Sequence, residues 1–172
     1  MVAIEIVVGR PRRWQTLIIE RLRRAGHTIS IVATRGDSWS PAIEALLRPE
    51  TMVFLRGGDA LSSPVSLDFP QQPTIGPADL RLDLAGTAAS SPVPTLRLLF
   101  DGNAAPAAAI ATLARGELPE LAVSLDGRAI VATASPMVDR PYSVVRSLED
   151  VLARAVTLMI SSVPAPVIFT EP

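Results

Sequence analysis

The sequence predicts an α/β fold, a mostly parallel sheet flanked by helices, with a C-terminal β-hairpin and a closing helix. Two observations carry this. The apolar run Val2–Val8 is followed by an amphipathic helical stretch and then by a second apolar run, His27–Thr34. A strand–helix–strand unit of this kind is normally a right-handed parallel crossover. Asp126-Gly127 separates two short β-rich runs, which marks a two-residue hairpin near the end of the chain. A length of 172 residues suits one domain. Residues 1–163 are read as that domain and 164–172 as a tail, because Pro164 and Pro166 interrupt any continuing helix.

Each element has its own signals. Gly9 bounds the first strand, and Pro11 opens a helix where its missing N–H costs nothing. Trp14, Leu17, Ile18, Leu22 and Ala25 recur at helical spacing. Arg23 and Arg24 suit the negative end of the helix dipole, and Gly26 stops the helix. Ser40 caps a short helix beginning at Pro41, with Glu44 as an acidic residue in its first turn. Met52–Leu55 is read as a short strand. Residues 57–77, rich in Pro, Gly, Ser and Gln, form a long irregular loop. Leu80–Leu84 and Leu96–Phe100 are further strands. Pro106–Arg115 is an alanine-rich helix stopped by Gly116. Leu121–Leu125 and Arg128–Ala132 are the two arms of the hairpin, and the last helix starts after Ser147, with Asp150 as its capping-box partner.

Composition excludes several functions. Apolar residues make up 48% and charged residues 19%, which rules out a disordered chain. The formal charge is −1 and aromatics are only 4%, so a nucleic-acid partner is not expected. No cysteine is present, which excludes thiol chemistry and zinc–thiolate sites. All 16 basic residues are arginine, which excludes Schiff-base catalysis. The single histidine, His27, excludes a multi-histidine metal site, and no metal is expected. His27 starts the second strand, at the edge of the sheet away from ligand sites, and is read as structural. No apolar run approaches the ~18 residues that span a bilayer. Glu5 breaks the N-terminal run and no basic segment precedes it, so a cytoplasmic location without membrane insertion is expected. A mean hydropathy of +0.34 suggests apolar surface buried against a partner or a second copy.

Three constellations could carry chemistry. Gly9-Arg10-Pro11-Arg12-Arg13-Trp14 joins a strand to a helix N-terminus. Free N–H groups there attract anions, so Arg10, Arg12 and Arg13 are either a phosphate or carboxylate site or a solvated basic rim. Asp101-Gly102-Asn103 lies just past a strand, where open α/β sheets bind ligands. Asp101 and Asn103 are candidate ligand residues, or else a turn and a helix cap. Asp126 is a candidate catalytic carboxylate, or the first residue of a tight turn.

Residues 78–163 resemble the formyltransferases that use 10-formyltetrahydrofolate, acting on methionyl-tRNA or sugar amines. Leu96–Phe100 is similar to the family's strand. Gly102-Asn103-Ala104-Ala105-Pro106, with Ile110 and Arg115-Gly116-Glu117, is similar to the following helix and its glycine stop. Leu125-Asp126-Gly127-Arg128-Ala129-Ile130 resembles the family's Leu-Asp-Thr-Gly-x-Ile hairpin, and Pro141–Val163 its closing loop and helix. The first half is only generically Rossmann-like. The family's Asn-x-His-Pro-Ser-Leu-Leu-Pro segment has no counterpart, since the strand ends Leu98-Leu99-Phe100-Asp101. Only Asp126 carries over, as the catalytic carboxylate. One carboxylate without its partners cannot position the amine and handle its proton efficiently. The resemblance therefore implies a degenerate, non-catalytic copy with no use for the folate cofactor.

Arg12-Arg13-Trp14, the Leu80–Gly86 strand and Arg146-Ser147-Leu148 narrow the resemblance further. They are similar to formyltransferase-like domains N-terminal to sugar-transferase-like modules of bacterial surface-glycan proteins. That implies a binding or scaffolding role in glycoconjugate assembly, with a sugar-transferase-like module or a second copy as partner. Two alternatives stay open. One is the N-terminal half of a two-domain glycosyltransferase, since Glu20–His27 followed by a strand suits that class. The other is an active formyltransferase using Asp126 with Asn103.

Overall fold

The computed structural model describes residues 1–34, 39–55, 60–66, 77–86, 91–138 and 143–164. The chain runs β1 (Ala3–Val8), α1 (Arg13–Arg24), β2 (Thr28–Ala33), α2 (Pro41–Phe54), β3 (Leu80–Asp83) and β4 (Thr95–Phe100). It continues through α3 (Ala107–Ala114), β5 (Leu121–Leu125), β6 (Ala129–Ala134) and α4 (Val144–Ser162). The six strands form one sheet in the order β2-β1-β3-β4-β5-β6. The first four pair in parallel, and β5 pairs antiparallel with both β4 and β6. This is the mostly parallel α/β sheet that the sequence predicts, Rossmann-like in its parallel half and completed by the hairpin.

The registers give the two faces of the sheet different chemistry. Ile4 pairs with Ile29 and Leu80, Leu82 with Leu96, and Leu98 with Val123. Residues in register share a face, so these side chains make one apolar surface. They join Trp14, Ile18 and Leu22 of α1, Ile110 of α3, and Leu148, Leu152 and Met159 of α4 in a single core. Trp14 meets Phe100 edge-on, with centroids 6.3 Å apart. The opposite face carries charged residues among apolar ones such as Val7 and Leu99. Glu5 is in register with Ser30 and Arg81, and Asp83 with Arg97. Arg81 donates to Glu5, and Arg97 binds Asp83 Oδ2 at 2.9 Å through both Nε and Nη2.

Two elements depart from the sequence reading. Met52–Leu55 is no strand: Met52, Val53 and Phe54 are the last turn of α2, and the Leu55 N–H donates to the Thr51 carbonyl. Pro49 lies inside this helix. Its ring leaves one intrahelical backbone bond unmade. The last helix begins earlier than expected. Ser143 caps α4 by accepting from the Arg146 N–H at 3.3 Å, and Ser147 is buried in the first turns. Both serines precede apolar spacing, and Glu50 of α2 selects the first, accepting from the Ser143 hydroxyl and the Val145 N–H. Of the long loop 57–77, residues 60–66 and 77 are described. Arg140-Pro141-Tyr142 falls on 140–142, outside the described residues, as does the tail from 165 onward.

Candidate functional site

The parallel strands end at an edge where β1 hands over to α1. A helix starting there leaves N–H groups without intrahelical partners. Here the chain itself takes them. The Arg12 N–H donates to Gln15 Oε1 at 2.9 Å. The Arg13 N–H donates to the Ser63 carbonyl at 2.9 Å, and the Trp14 N–H to the Leu61 carbonyl at 3.0 Å. The Val65 N–H donates back to the Pro11 carbonyl at 3.0 Å, which locks residues 61–65 across the helix start. Glu149 of α4 holds this loop from behind. Its carboxylate accepts from the Leu61 N–H, the Ser62 N–H and the Ser62 hydroxyl. Segment 61–65 thus occupies the position an anion would take at this helix terminus.

The three arginines of the turn divide. Arg12 is buried at 3% exposure, which corrects the picture of a solvated basic rim. Its guanidinium stacks on Trp39 at 4.1 Å, donates to the Ser62 carbonyl at 2.8 Å and binds Glu44 at 2.6 Å. A buried arginine needs this degree of satisfaction to be tolerated. Arg10 is exposed and sits 3.7 Å from the same Glu44 carboxylate. Arg13 is half-exposed and forms no ion pair among the described residues. Arg10, Arg12, Trp39, Glu44 and Arg48 line a cleft of about 710 Å³ between the turn, α2 and residues 62–64.

Asp101, Asn103 and Asp126 do backbone work. Asp101 and Asp126 both adopt positive φ, at 50° and 53°, each followed by a glycine that does the same. The two Asp-Gly pairs close tight turns at opposite ends of β4 and β5. In each turn the aspartate N–H donates at 2.8 Å to the residue facing it, Glu120 or Thr95. Its carboxylate then accepts that residue's N–H, at 2.7 Å from Glu120 and 2.8 Å from Thr95. The side chain stands in for the backbone carbonyl that the turn directs elsewhere. Asp101 also accepts from the Thr112 hydroxyl at 2.7 Å, which ties α3 to the same turn. Asn103 Oδ1 accepts from the Ala105 N–H at 3.1 Å, a local turn.

These candidates do not converge. Asp101 and Asn103 share the carboxyl edge of the parallel strands with Arg10 and Arg12. Asp126 lies at the amino end of β4. The six residues of β4 separate the ends by about 20 Å, so Asp126 and Asn103 cannot meet one substrate atom. At the carboxyl edge, Gly86 also packs against Ala104: a Cβ on Gly86 would come within 3.2 Å of the Ala104 Cβ. His27 is buried at the start of β2, and desolvation followed by the nearby N-terminal charge lowers its pKa below 6.5.

Sequence reading missed Glu149, Trp39 and Arg48. Glu149 lies between apolar positions of α4 and reads as an exposed charge. Trp39 lies in no periodic run. Its pairing with Arg12 depends on tertiary placement of α2, for which no local signal exists. No group of His, Asp or Glu suited to a metal occurs among the described residues. No described helix is long and apolar enough to cross a membrane. Comparison with known proteins finds no family model that matches the chain and no curated protein of significant similarity.

Proposed function

We propose that the chain is a non-catalytic, formyltransferase-like binding module of bacterial glycoconjugate assembly, working beside a sugar-transferase-like module or a second copy of itself. One observation carries the non-catalytic part. The helix terminus that would receive an anionic group in an open α/β sheet is filled by the chain's own residues 61–65. The polar candidates support the same reading, since Asp101, Asn103 and Asp126 each accept backbone N–H groups. A general base must reach its proton within about 3 Å, and Asp126 Oδ1 already accepts from the Thr95 N–H at 2.8 Å. The glycoconjugate context comes from the resemblance of Arg12-Arg13-Trp14, Leu80–Gly86 and Arg146-Ser147-Leu148.

Calorimetric titration with a 10-formyltetrahydrofolate analogue, UDP-sugars and CMP-sugars tests it, together with a formyl-transfer assay on amino sugars. The expected result is no folate binding and no turnover. Folate binding that disappears in Asp126→Asn, with folding intact, would overturn the reading in favour of an active formyltransferase. Binding of a nucleotide sugar alone would overturn it in favour of the glycosyltransferase half.

A further inference from the structure

Resting on the binding-module reading and fixing its partner, we propose that β6 is a self-association edge, pairing antiparallel with β6 of a second copy about a two-fold axis. Two six-stranded sheets then join into one. The backbone comes first. β6 ends the strand order, so among the described residues only its β5 side is paired. An edge strand presents a row of N–H and C=O groups that another strand can take. The sequence of β6, Ala-Ile-Val-Ala-Thr-Ala, has no charge and no proline, and Ile130, Val131 and Thr133 are β-branched. Ile130 and Val131 are 54% and 49% exposed. The opposite edge, β2, is also uncharged, but it is open only at Val32 and Ala33. β6 is open over its first three residues and at Thr133.

The partner follows from geometry and charge. What fits an open edge is an extended strand, and a second copy brings one already formed, with no ordering cost. Arg128 immediately precedes β6. Parallel pairing in register would set the two Arg128 side chains side by side. Antiparallel pairing centred on the strand sends them to opposite ends, about 20 Å apart or more, and lays uncharged residues against one another throughout. When a two-fold relates antiparallel strands, the residue on the axis faces its own copy. The middle of β6 is Val131 and Ala132, so the exposed Ile130 and Val131 lie within two residues of the axis. This axis stands perpendicular to the sheet, and α4, which packs on β6, lies on the same side of the joined sheet in both copies. The pairing uses up both β6 edges, so association closes at two copies. A six-residue seam is small against the ~1,200 Å² of a stable interface, which makes the dimer a weak, concentration-dependent one.

The chain has no cysteine, so a single substitution in β6 gives one thiol per copy. Directly opposed residues of an antiparallel pair stand ~4.5–5.5 Å apart, within disulfide range. A residue two positions from the axis stands ~14 Å from its own copy, far outside that range. Ala129→Cys, Ile130→Cys, Val131→Cys, Ala132→Cys and Thr133→Cys are oxidised mildly and resolved without reductant, beside sedimentation of the parent chain across a wide concentration range. The expected result is a reversible monomer–dimer equilibrium. Cross-linking should show one maximum, at Val131→Cys or Ala132→Cys, and be weaker by about tenfold or more at Ala129→Cys. Val131→Lys should weaken association by about tenfold or more with the melting temperature of the dilute protein unchanged. Val53→Lys, which removes an exposed apolar residue of α2 instead, should leave association unaltered. A chain that stays monomeric, cross-linking of equal strength along the strand, an open ladder of higher oligomers, or association lost in Val53→Lys but kept in Val131→Lys would overturn the proposal. Folate binding or formyl transfer would instead overturn the binding-module reading and leave the cross-linking pattern as it is, so the two failures are distinguishable.

Discussion

Asp101 and Asp126 show how one dipeptide can be read for chemistry and used for geometry. In a turn with two consecutive positive φ values, the first residue's carbonyl is lost to the strand ladder. A short carboxylate can replace it, which few other side chains can do at that φ. Asp126→Ala is expected to lose both the backbone fit and a charge-assisted bond, at a cost of about 1–3 kcal/mol in urea unfolding. Asp126→Asn keeps an acceptor oxygen and tolerates the same φ, so its cost should be about half as large or less. Equal destabilisation by the two variants would contradict this role. His27 carries the pH response above the carboxylate range. Burial, then the N-terminal charge, depresses its folded-state pKa, so the unfolded chain takes up a proton first on acidification. Stability should therefore fall as pH drops through 6.5, the unfolded value, toward the lower folded value. The urea midpoint measured between pH 7.5 and 5.5 should show this fall in the parent chain and lose it in His27→Gln.

At the scale of elements, the β1–α1 junction differs most from what its sequence suggests. Gly9-Arg10-Pro11-Arg12 reads as an open strand-to-helix turn with cations on display. The closing segment lies about fifty residues further on, inside a stretch that reads only as irregular, and Glu149 secures it from α4. Strand and helix identities were legible because β1, α1, β4 and the hairpin each carry local periodicity or an Asp-Gly turn. The start of α4 was not, because Ser143 and Ser147 each precede a helical pattern and only contact with Glu50 selects Ser143. For the candidate site, the residue types were legible but their tasks were not, since Arg12's burial and Asp101's bond to Thr112 both depend on distant segments. Glu149→Ala strips acceptors from two N–H groups and one hydroxyl. It should lower stability by about 2 kcal/mol and speed hydrogen exchange at Arg13 and Trp14. Unchanged exchange at those amides would show that the loop does not depend on Glu149.

At the scale of the whole molecule, the sheet keeps its apolar face under α1, α3 and α4 and an ion-paired face opposite. Exposed apolar surface is concentrated in α2 and in the edge strand β6, where Ile130 and Val131 are about half exposed. β6 carries no charge or proline, the usual protections of an edge. A register shift beside Val123 is its one irregularity in pairing with β5. Concentration-dependent association is expected by light scattering, and Val131→Lys should reduce it while leaving the fold stable. A parent chain that stays monomeric at all concentrations would contradict this. The central claim concerns the carboxyl edge of the sheet, closed by residues 61–65. Its most direct test is the amide resonances of Arg13 and Trp14 during titration with inorganic phosphate and a 10-formyltetrahydrofolate analogue. The filled edge predicts protected amides whose shifts stay constant while both ligands are added. Saturable shifts at these two amides would show an open anion site and contradict the account.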